Sequence, residues 1–366
     1  MEKHINVTRS SMPEFEEYCR EISTLWDSRW LTNMGAKHKE LQKELEKRMG
    51  VGHVTLYSNG HLALENMIEA LGLRGEIITT PYTFASTTHA IVRSGCTPVF
   101  CDIDPVSCTM DADRVEELIT EKTVAILPVH VYGSLCQVDK LAKIAEKHGL
   151  KLLYDAAHAF GVKKDGVDAA CFGDVSMFSF HATKVFHTIE GGALCYNDDS
   201  LVKVLDDMKN FGISGPESVL YAGGNAKMNE FSAAMGLCNL RHLDEEITKR
   251  RAAAEVYDSL LGGVEGIRLK AAQPGVESNY AYYPVFFEGY RYDRDKVFEM
   301  LAAENIVARK YFYPVTNSFD CYKGRAGFDP KATPNAVHAA SCVLTLPMFA
   351  GLSPEDAERI CRIILG

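Results

Sequence analysis

The sequence predicts an α/β fold, a mostly parallel sheet covered by helices on both faces, with a smaller α+β unit at the C-terminal end. Two observations carry this. Over roughly the first 210 residues short apolar runs alternate with helical patterns, the signature of β-α-β units. From about Asn229 the alternation gives way to one long helical stretch and then a mixed pattern. Helices between successive strands make the sheet parallel and the crossovers right-handed.

The elements follow in order. Val54–Tyr57 reads as a strand and His61–Leu71 as the helix after it. Ile77–Thr79 and a helix over Ala85–Ser94 come next. Pro98–Asp102 and Val124–Val129 are strands with a helix around Val115–Ile119 between them. Val138–His148 is a helix that ends on Lys147-His148-Gly149, basic residues and a glycine being a stop signal. Leu152–Tyr154, Val175–Phe180 and Ala193–Tyr196 complete the strands of the first unit. Phe231–Leu261 is a long helix, followed by strand-like Tyr280–Phe287, a helix over Arg294–Glu304 and strand-like Ile306–Phe312. Helices over Ala336–Val343 and Pro354–Ile363 close the chain. The boundary falls near residue 250, giving a 1–250 unit with an N-terminal arm and a 251–366 unit.

Length and composition fit this reading. A chain of 366 residues exceeds what one core usually serves. No apolar run reaches the ~18 residues of a membrane span, and the start lacks a secretory apolar core, so a cytoplasmic protein is expected. Eleven cysteines without Cys-x-x-Cys or tight Cys/His spacing read as free, mostly buried thiols and give no metal site. A net charge of −10 argues against a nucleic-acid or anionic-membrane surface.

Three local features share one chemistry. Ser58-Asn59-Gly60-His61 lies between a strand and a helix, where glycine lets backbone amides approach an anion and the helix N-terminus adds a favourable partial charge. Alone, such a turn is more often plain turn chemistry. There is no G-x-G-x-x-G for a dinucleotide. Asp155 ends the apolar run Leu152–Tyr154, at the strand end where open α/β sheets bind ligands, although an aspartate there also serves as a helix cap. Lys184 follows the apolar Met177–Phe180 strand and precedes Glu190-Gly191-Gly192. A lysine leaving an apolar strand end is partly desolvated, which favours the neutral amine that forms a Schiff base. A pyridoxal ring needs all three: a held phosphate, a lysine for its aldehyde and a carboxylate for its pyridine nitrogen. The freed lysine can then shuttle the substrate α-proton.

Five blocks carry a resemblance over essentially the whole chain: TTPYTFASTTHAI (79–91), LPVHVYG (127–133), LLYDAAHAFGV (152–162), FSFHATKVFHTIEGGAL (178–194) and GGNAKMNEFSAAMGL (223–237). Their order and spacing resemble the DegT/DnrJ/EryC1/StrS sugar-nucleotide aminotransferases, fold-type I pyridoxal-phosphate enzymes. The resemblance implies that Lys184 binds the cofactor covalently and that Asp155 pairs with its pyridine nitrogen. It places Ser179 and the amides of Gly60 and His61 on the phosphate, Phe84 on the ring face and His158 near the phenolic oxygen. Asn225 is implied to reach the phosphate from a second subunit, hence a homodimer with shared active sites. His61 stands where threonine is usual, His89 where asparagine is frequent and Lys227 where arginine is frequent.

The same resemblance implies a reaction, transfer of an amino group from L-glutamate to a nucleotide-linked keto-sugar, in polysaccharide or glycosylated-metabolite biosynthesis. Glu190-Gly191-Gly192 after the lysine is common in members acting at C4 of the sugar, whereas many C3 enzymes show Gly-Asp-Gly-Gly. The stretches 7–35 and ARKYFYPV (308–315) are similar to members that form dTDP-4-amino-4,6-dideoxyglucose, with Tyr311, Tyr313 and Lys227 as substrate-side candidates. GDP- or UDP-linked sugars and C3 amination are the alternatives. A dehydratase of the same family carries histidine in place of the lysine, and a non-catalytic regulator would tolerate loss of Lys184 or Asp155; both residues are present.

Overall fold

A computed structural model describes residues 4–366. Seven strands form the large sheet: β1 (His53–Tyr57), β2 (Glu76–Thr79), β3 (Thr97–Phe100), β4 (Thr123–Leu127), β5 (Lys151–Asp155), β6 (Val175–Ser179) and β7 (Gly192–Tyr196), in the order β1-β7-β6-β5-β4-β2-β3. β7 runs antiparallel to both neighbours, and every other pairing is parallel. The strands are buried on both faces almost throughout, as a sheet with helices on either side requires. Helices α3 (Gly60–Ala70), α4 (Ala85–Arg93), α5 (Val138–His148) and α6 (Ser200–Met208) cross over it.

Two helices precede β1, α1 (Phe15–Ser28) and α2 (Ala36–Met49), and neither is among the sequence expectations. Leu41, Leu45 and Met49 of α2 recur every fourth residue and are buried with Ala233 and Leu237 of α7 (Glu230–Leu261). Glu230, fully buried at the first turn of α7, holds the start of α2. Its Oε1 accepts from the amides of Gly35 (3.1 Å) and His38 (3.2 Å), and its Oε2 from Lys37 (2.8 Å). These are donors that a helix start leaves without partners, and they carry the positive end of the helix dipole. The fit leaves no room for a side chain at residue 35: a Cβ there would sit 2.7 Å from the Glu230 carboxyl.

The C-terminal part forms an antiparallel sheet of β8 (Ile267–Leu269), β9 (Tyr283–Phe287) and β10 (Val343–Leu346), in that order. Helices α8 (Arg294–Ala303) and α10 (Pro354–Leu365) bury Val297, Leu301, Ala357, Ile360 and Ile364 against it and against Ala253, Ala254 and Tyr257 of α7. Helix α9 (Pro334–Cys342) is tied to the large sheet by Asp102 just past β3, whose carboxylate accepts from the amides of Asn335 (3.0 Å) and Ala336 (2.9 Å). Residue 250, where the sequence places the boundary, lies inside α7; Arg250 is buried there and donates to the carbonyl of Met348 (3.2 Å).

Three expectations are corrected. Ile306–Phe312 is not a strand: it makes isolated bridges, Ile5 with Ile306 and Arg309 with Thr345, because its end turns away from the sheet edge to bring Tyr311 and Phe312 to a cavity. The helix over Ala336–Val343 stops at Cys342, and the β-branched Val343 starts β10, which takes the edge position beside β9. The helix around Val115–Ile119 is a single tight turn, Glu116–Leu118. All eleven cysteines are free, and among the described residues no helix is long and apolar enough to cross a membrane.

The Glu230 contact gives a stability prediction. Glu230→Ala leaves three helix-start amides without their acceptor and should cost roughly 3 kcal/mol or more, as hydrogen bonds to a charged group do. Exposed Glu245→Ala on the same helix should stay within about 0.5 kcal/mol. Denaturant melts of the two variants check it; equal losses would mean that the cap is not what holds α2.

Candidate active site

The carboxyl ends of β1, β5 and β6 open into one cavity of about 560 Å³. Asp155 is the last residue of β5 and Ser179 the last of the neighbouring β6, while Gly60 opens α3 three residues after β1. Asn59 caps α3 by accepting from Leu62 (2.9 Å), and the first intrahelical bond runs from the Ala63 amide to the Asn59 carbonyl. The amides of Gly60 and His61 precede that bond, so they are available to an anion at the helix start. Gly60 is pressed on β6: a Cβ would meet Met177 Sδ at 3.0 Å and Ser179 Cβ at 3.1 Å. Gly192 lies behind it, with room for no Cβ against the Asn59–Gly60 peptide. The two glycines thus bring the helix start and the Ser179 hydroxyl to one corner of the cavity.

Asp155 is buried, and its oxygens accept from Thr87 Oγ1 (2.7 Å) and the Ala157 amide (3.1 Å). Burial raises its carboxyl above the usual range, opposed by those two hydrogen bonds and by the charge of Lys184. Lys184 lines the same cavity, and its Nζ donates to the hydroxyl of Tyr282 (3.2 Å). His158 is buried beside them. Burial first, and the Lys184 charge second, push its imidazole well below the usual range, so the ring is neutral. Its Nδ1 accepts from the amide of Tyr132 (3.1 Å), which leaves the proton on Nε2. The ring lies parallel to Phe312, centroids 5.7 Å apart. Phe84, exposed at the start of α4, presents an apolar ring to the cavity.

The cavity therefore gathers Gly60, His61, Phe84, Asp155, His158, Ser179, Lys184 and Tyr311 from the sequence candidates. Asn225, Lys227 and Tyr313 lie outside its lining. Lys227 donates to Asn210 (2.6 Å) and Asn225 (3.0 Å) and sits over Phe211, while the exposed Tyr313 ring packs by Arg294. His130 is a core histidine: its Nδ1 accepts from Cys136, it stacks on Tyr154, and burial lowers its pKa to about 3. Sequence reasoning missed Thr87, Tyr282 and Arg309. Thr87 stands inside a block already singled out, but helical spacing alone does not say which carboxylate its hydroxyl meets. Tyr282 and Arg309 come from the C-terminal part, and only the folded chain brings them to Lys184.

Residues 14–365 match the DegT/DnrJ/EryC1/StrS aminotransferase family. The chain belongs to that family. A dTDP-4-amino-4,6-dideoxy-D-glucose transaminase of Shigella dysenteriae is 42% identical over 366 residues, covering 100% of this chain and 99% of that protein. The Escherichia coli protein of the same name is 39% identical, with 100% and 99% covered. Among solved structures, DesI in the presence of its TDP-sugar product superposes with a TM-score of 0.94 at 34% identity, covering 100% of this chain and 93% of that one.

The raised carboxyl of Asp155 has a sign that can be tested in protein freed of cofactor. Because the folded state holds this proton more tightly than the unfolded chain, the contribution is full below the ordinary carboxylate range and is lost as pH rises through the raised value. Asp155→Asn should therefore gain stability relative to the parent over the window that opens as pH rises above about 4. Denaturant melts across that window check it, and a parent that gains on the variant would show an already paired carboxylate.

Proposed function

We propose that the protein is a pyridoxal-phosphate-dependent aminotransferase that moves the amino group of L-glutamate to C4 of dTDP-4-dehydro-6-deoxy-D-glucose, giving dTDP-4-amino-4,6-dideoxy-D-glucose. The observation that carries the reading is the convergence of Lys184 and Asp155 on one cavity, with Ser179 and the start of α3 at its corner. Two relatives named for that product align along the whole chain, which supports the choice of sugar and nucleotide. Glu190-Gly191-Gly192 supports amination at C4.

The residues fit the cofactor. Asp155 has two hydrogen-bond donors and no adjacent cation strong enough to offset its burial, and a protonated ring nitrogen supplies that charge. When bound, pyridoxal phosphate supplies a sink for the electron pair left behind as the substrate α-proton departs. Asp155 keeps the ring nitrogen protonated, and Thr87 holds the carboxylate in place. Lys184 would hold the group covalently through its Nζ, and, once freed, that amine would be the base that takes the substrate α-proton and the acid that delivers it on the other side of the C–N bond. The Tyr282 hydroxyl aims that nitrogen. His158 offers its Nε2–H to the phenolic oxygen, and Phe84 covers the ring face. Ser179 Oγ and the amides of Gly60 and His61 bind the phosphate.

A second copy of the chain completes this site in our reading. Asn225 is exposed, and near it the Ile213–Val219 hairpin leaves Ile213, Val219 and Leu220 exposed together with Phe211. An apolar surface of this kind suits a homodimer contact that carries Asn225 into the partner's cavity.

Glutamate with a panel of nucleotide-linked 3-keto and 4-keto sugars, followed by release of 2-oxoglutarate, tests the reaction. Turnover is expected with the dTDP-linked 4-keto-6-deoxy sugar, and turnover confined to a 3-keto sugar would overturn the C4 assignment. Lys184→Ala should lower kcat by on the order of a thousandfold or more while keeping the parent fold by circular dichroism. In the parent, borohydride reduction should leave the cofactor mass on the peptide that contains Lys184; a mark on another lysine would mean that Lys184 does not hold the group.

A further inference from the structure

We propose that Arg309 is the residue that receives the diphosphate of the nucleotide-linked sugar, an assignment that rests on the sugar-nucleotide reading above. Among the described residues that line the cavity, Arg309 is the one arginine, and it forms no ion pair. The other basic side chains there are engaged. Lys184 donates to Tyr282, His61 lies 3.2 Å from Glu65, and His181 lies 3.5 Å from Glu190. Arg309 is exposed at the cavity wall, where water solvates it in the free protein, and a guanidinium with no acid beside it is open to a ligand oxyanion, which its planar fork binds through two N–H groups at once.

The side chain is also held ready. The Arg309 amide donates to the Thr345 carbonyl (3.1 Å), and the Arg309 carbonyl accepts from both the amide (2.7 Å) and the hydroxyl (2.8 Å) of Thr345. Nη1 donates to the Tyr311 hydroxyl (3.0 Å), and the guanidinium carbon lies 5.5 Å from the Tyr311 ring centroid. One of five N–H donors is thus spent on a neutral hydroxyl, and the others remain for an anion. Fixing the fork before the ligand arrives lowers the ordering cost of binding.

Position selects the anion. Tyr282 lies next to Lys184, the Tyr311 ring lies 6.2 Å beyond Tyr282, and Arg309 lies beside Tyr311. Along this wall two aromatic side chains, Tyr282 and Tyr311, stand between Arg309 and the reacting nitrogen. In the acceptor a hexose ring separates C4 from the diphosphate on C1, which matches that offset. The α-carboxylate of glutamate is attached directly to the reacting carbon and falls beside Lys184 instead. Both substrates carry oxyanions, so the two are separated by experiment.

The test uses the full-length cofactor-loaded enzyme with Arg309→Gln, which removes the charge, and Arg309→Lys, which keeps the charge without the fork. Calorimetry of dTDP and dTMP binding is paired with stopped-flow measurement of the two half-reactions. Arg309→Gln should weaken dTDP binding and raise the KM for the nucleotide sugar by about ten- to a hundredfold, with a smaller loss for dTMP. Arg309→Lys should recover part of the loss, and the apparent constant for glutamate should move by no more than about twofold. Unchanged dTDP affinity in Arg309→Gln would overturn the proposal. So would a rise in the glutamate constant alone, which would assign Arg309 to the donor's carboxylate. The dTDP arm reads Arg309 without turnover, so a parent that binds dTDP but does not transaminate counts against the aminotransferase reading alone.

Discussion

A carboxyl group leaves water at a high cost unless a proton, a cation or enough hydrogen-bond donors compensate it, and Asp155 has been taken out of water at the end of a central strand. The protein gives it two donors, the Thr87 hydroxyl and the Ala157 amide, and these do not suffice to hold it in the usual range. The rest of the cavity is arranged around that deficit. Lys184 arrives from the neighbouring strand, His158 is kept neutral so that it adds no competing charge, and the helix start at Gly60 borders the same space. A flat cation-bearing ring with an anionic tail satisfies all of these groups together. No side chain of the cavity does so alone.

The architecture supplies such a site by joining two halves of the chain. The large sheet contributes the carboxylate, the lysine and the anion corner. The C-terminal part contributes the aromatic and cationic wall of Tyr282, Arg309, Tyr311 and Phe312. Two buried carboxylates act as distant helix caps: Glu230 ties the start of α2 to α7, and Asp102 ties the start of α9 to the end of β3 in the large sheet. In each case helix dipole and unpaired amides offset the burial of a charge, the reverse of the situation at Asp155.

Much of this is legible in the sequence because it is local. The strands of the large sheet are continuous apolar runs, and Asp155, Ser179 and Lys184 stand at fixed offsets from their ends, so strand recognition alone places them on one rim. What escapes is non-local or ambiguous in period. Segment 306–312 has the composition of a strand but yields the edge to Val343–Leu346, since its own end is drawn to the cavity. Helix α2 shows its apolar stripe only as three residues among eleven polar or small ones. Thr87 and Arg309 are ordinary residues of a helix and a loop until the fold sets one against Asp155 and the other across the cavity from it.

In our reading Asp155 is buried in order to hold a protonated ring nitrogen. The most direct measurement is the nitrogen-15 chemical shift of isotopically labelled pyridoxal phosphate bound to the parent enzyme and to Asp155→Asn, followed across neutral pH. A protonated ring nitrogen is expected throughout in the parent and an unprotonated one in the variant. An unprotonated ring nitrogen in the parent, or the same shift in both proteins, would contradict it.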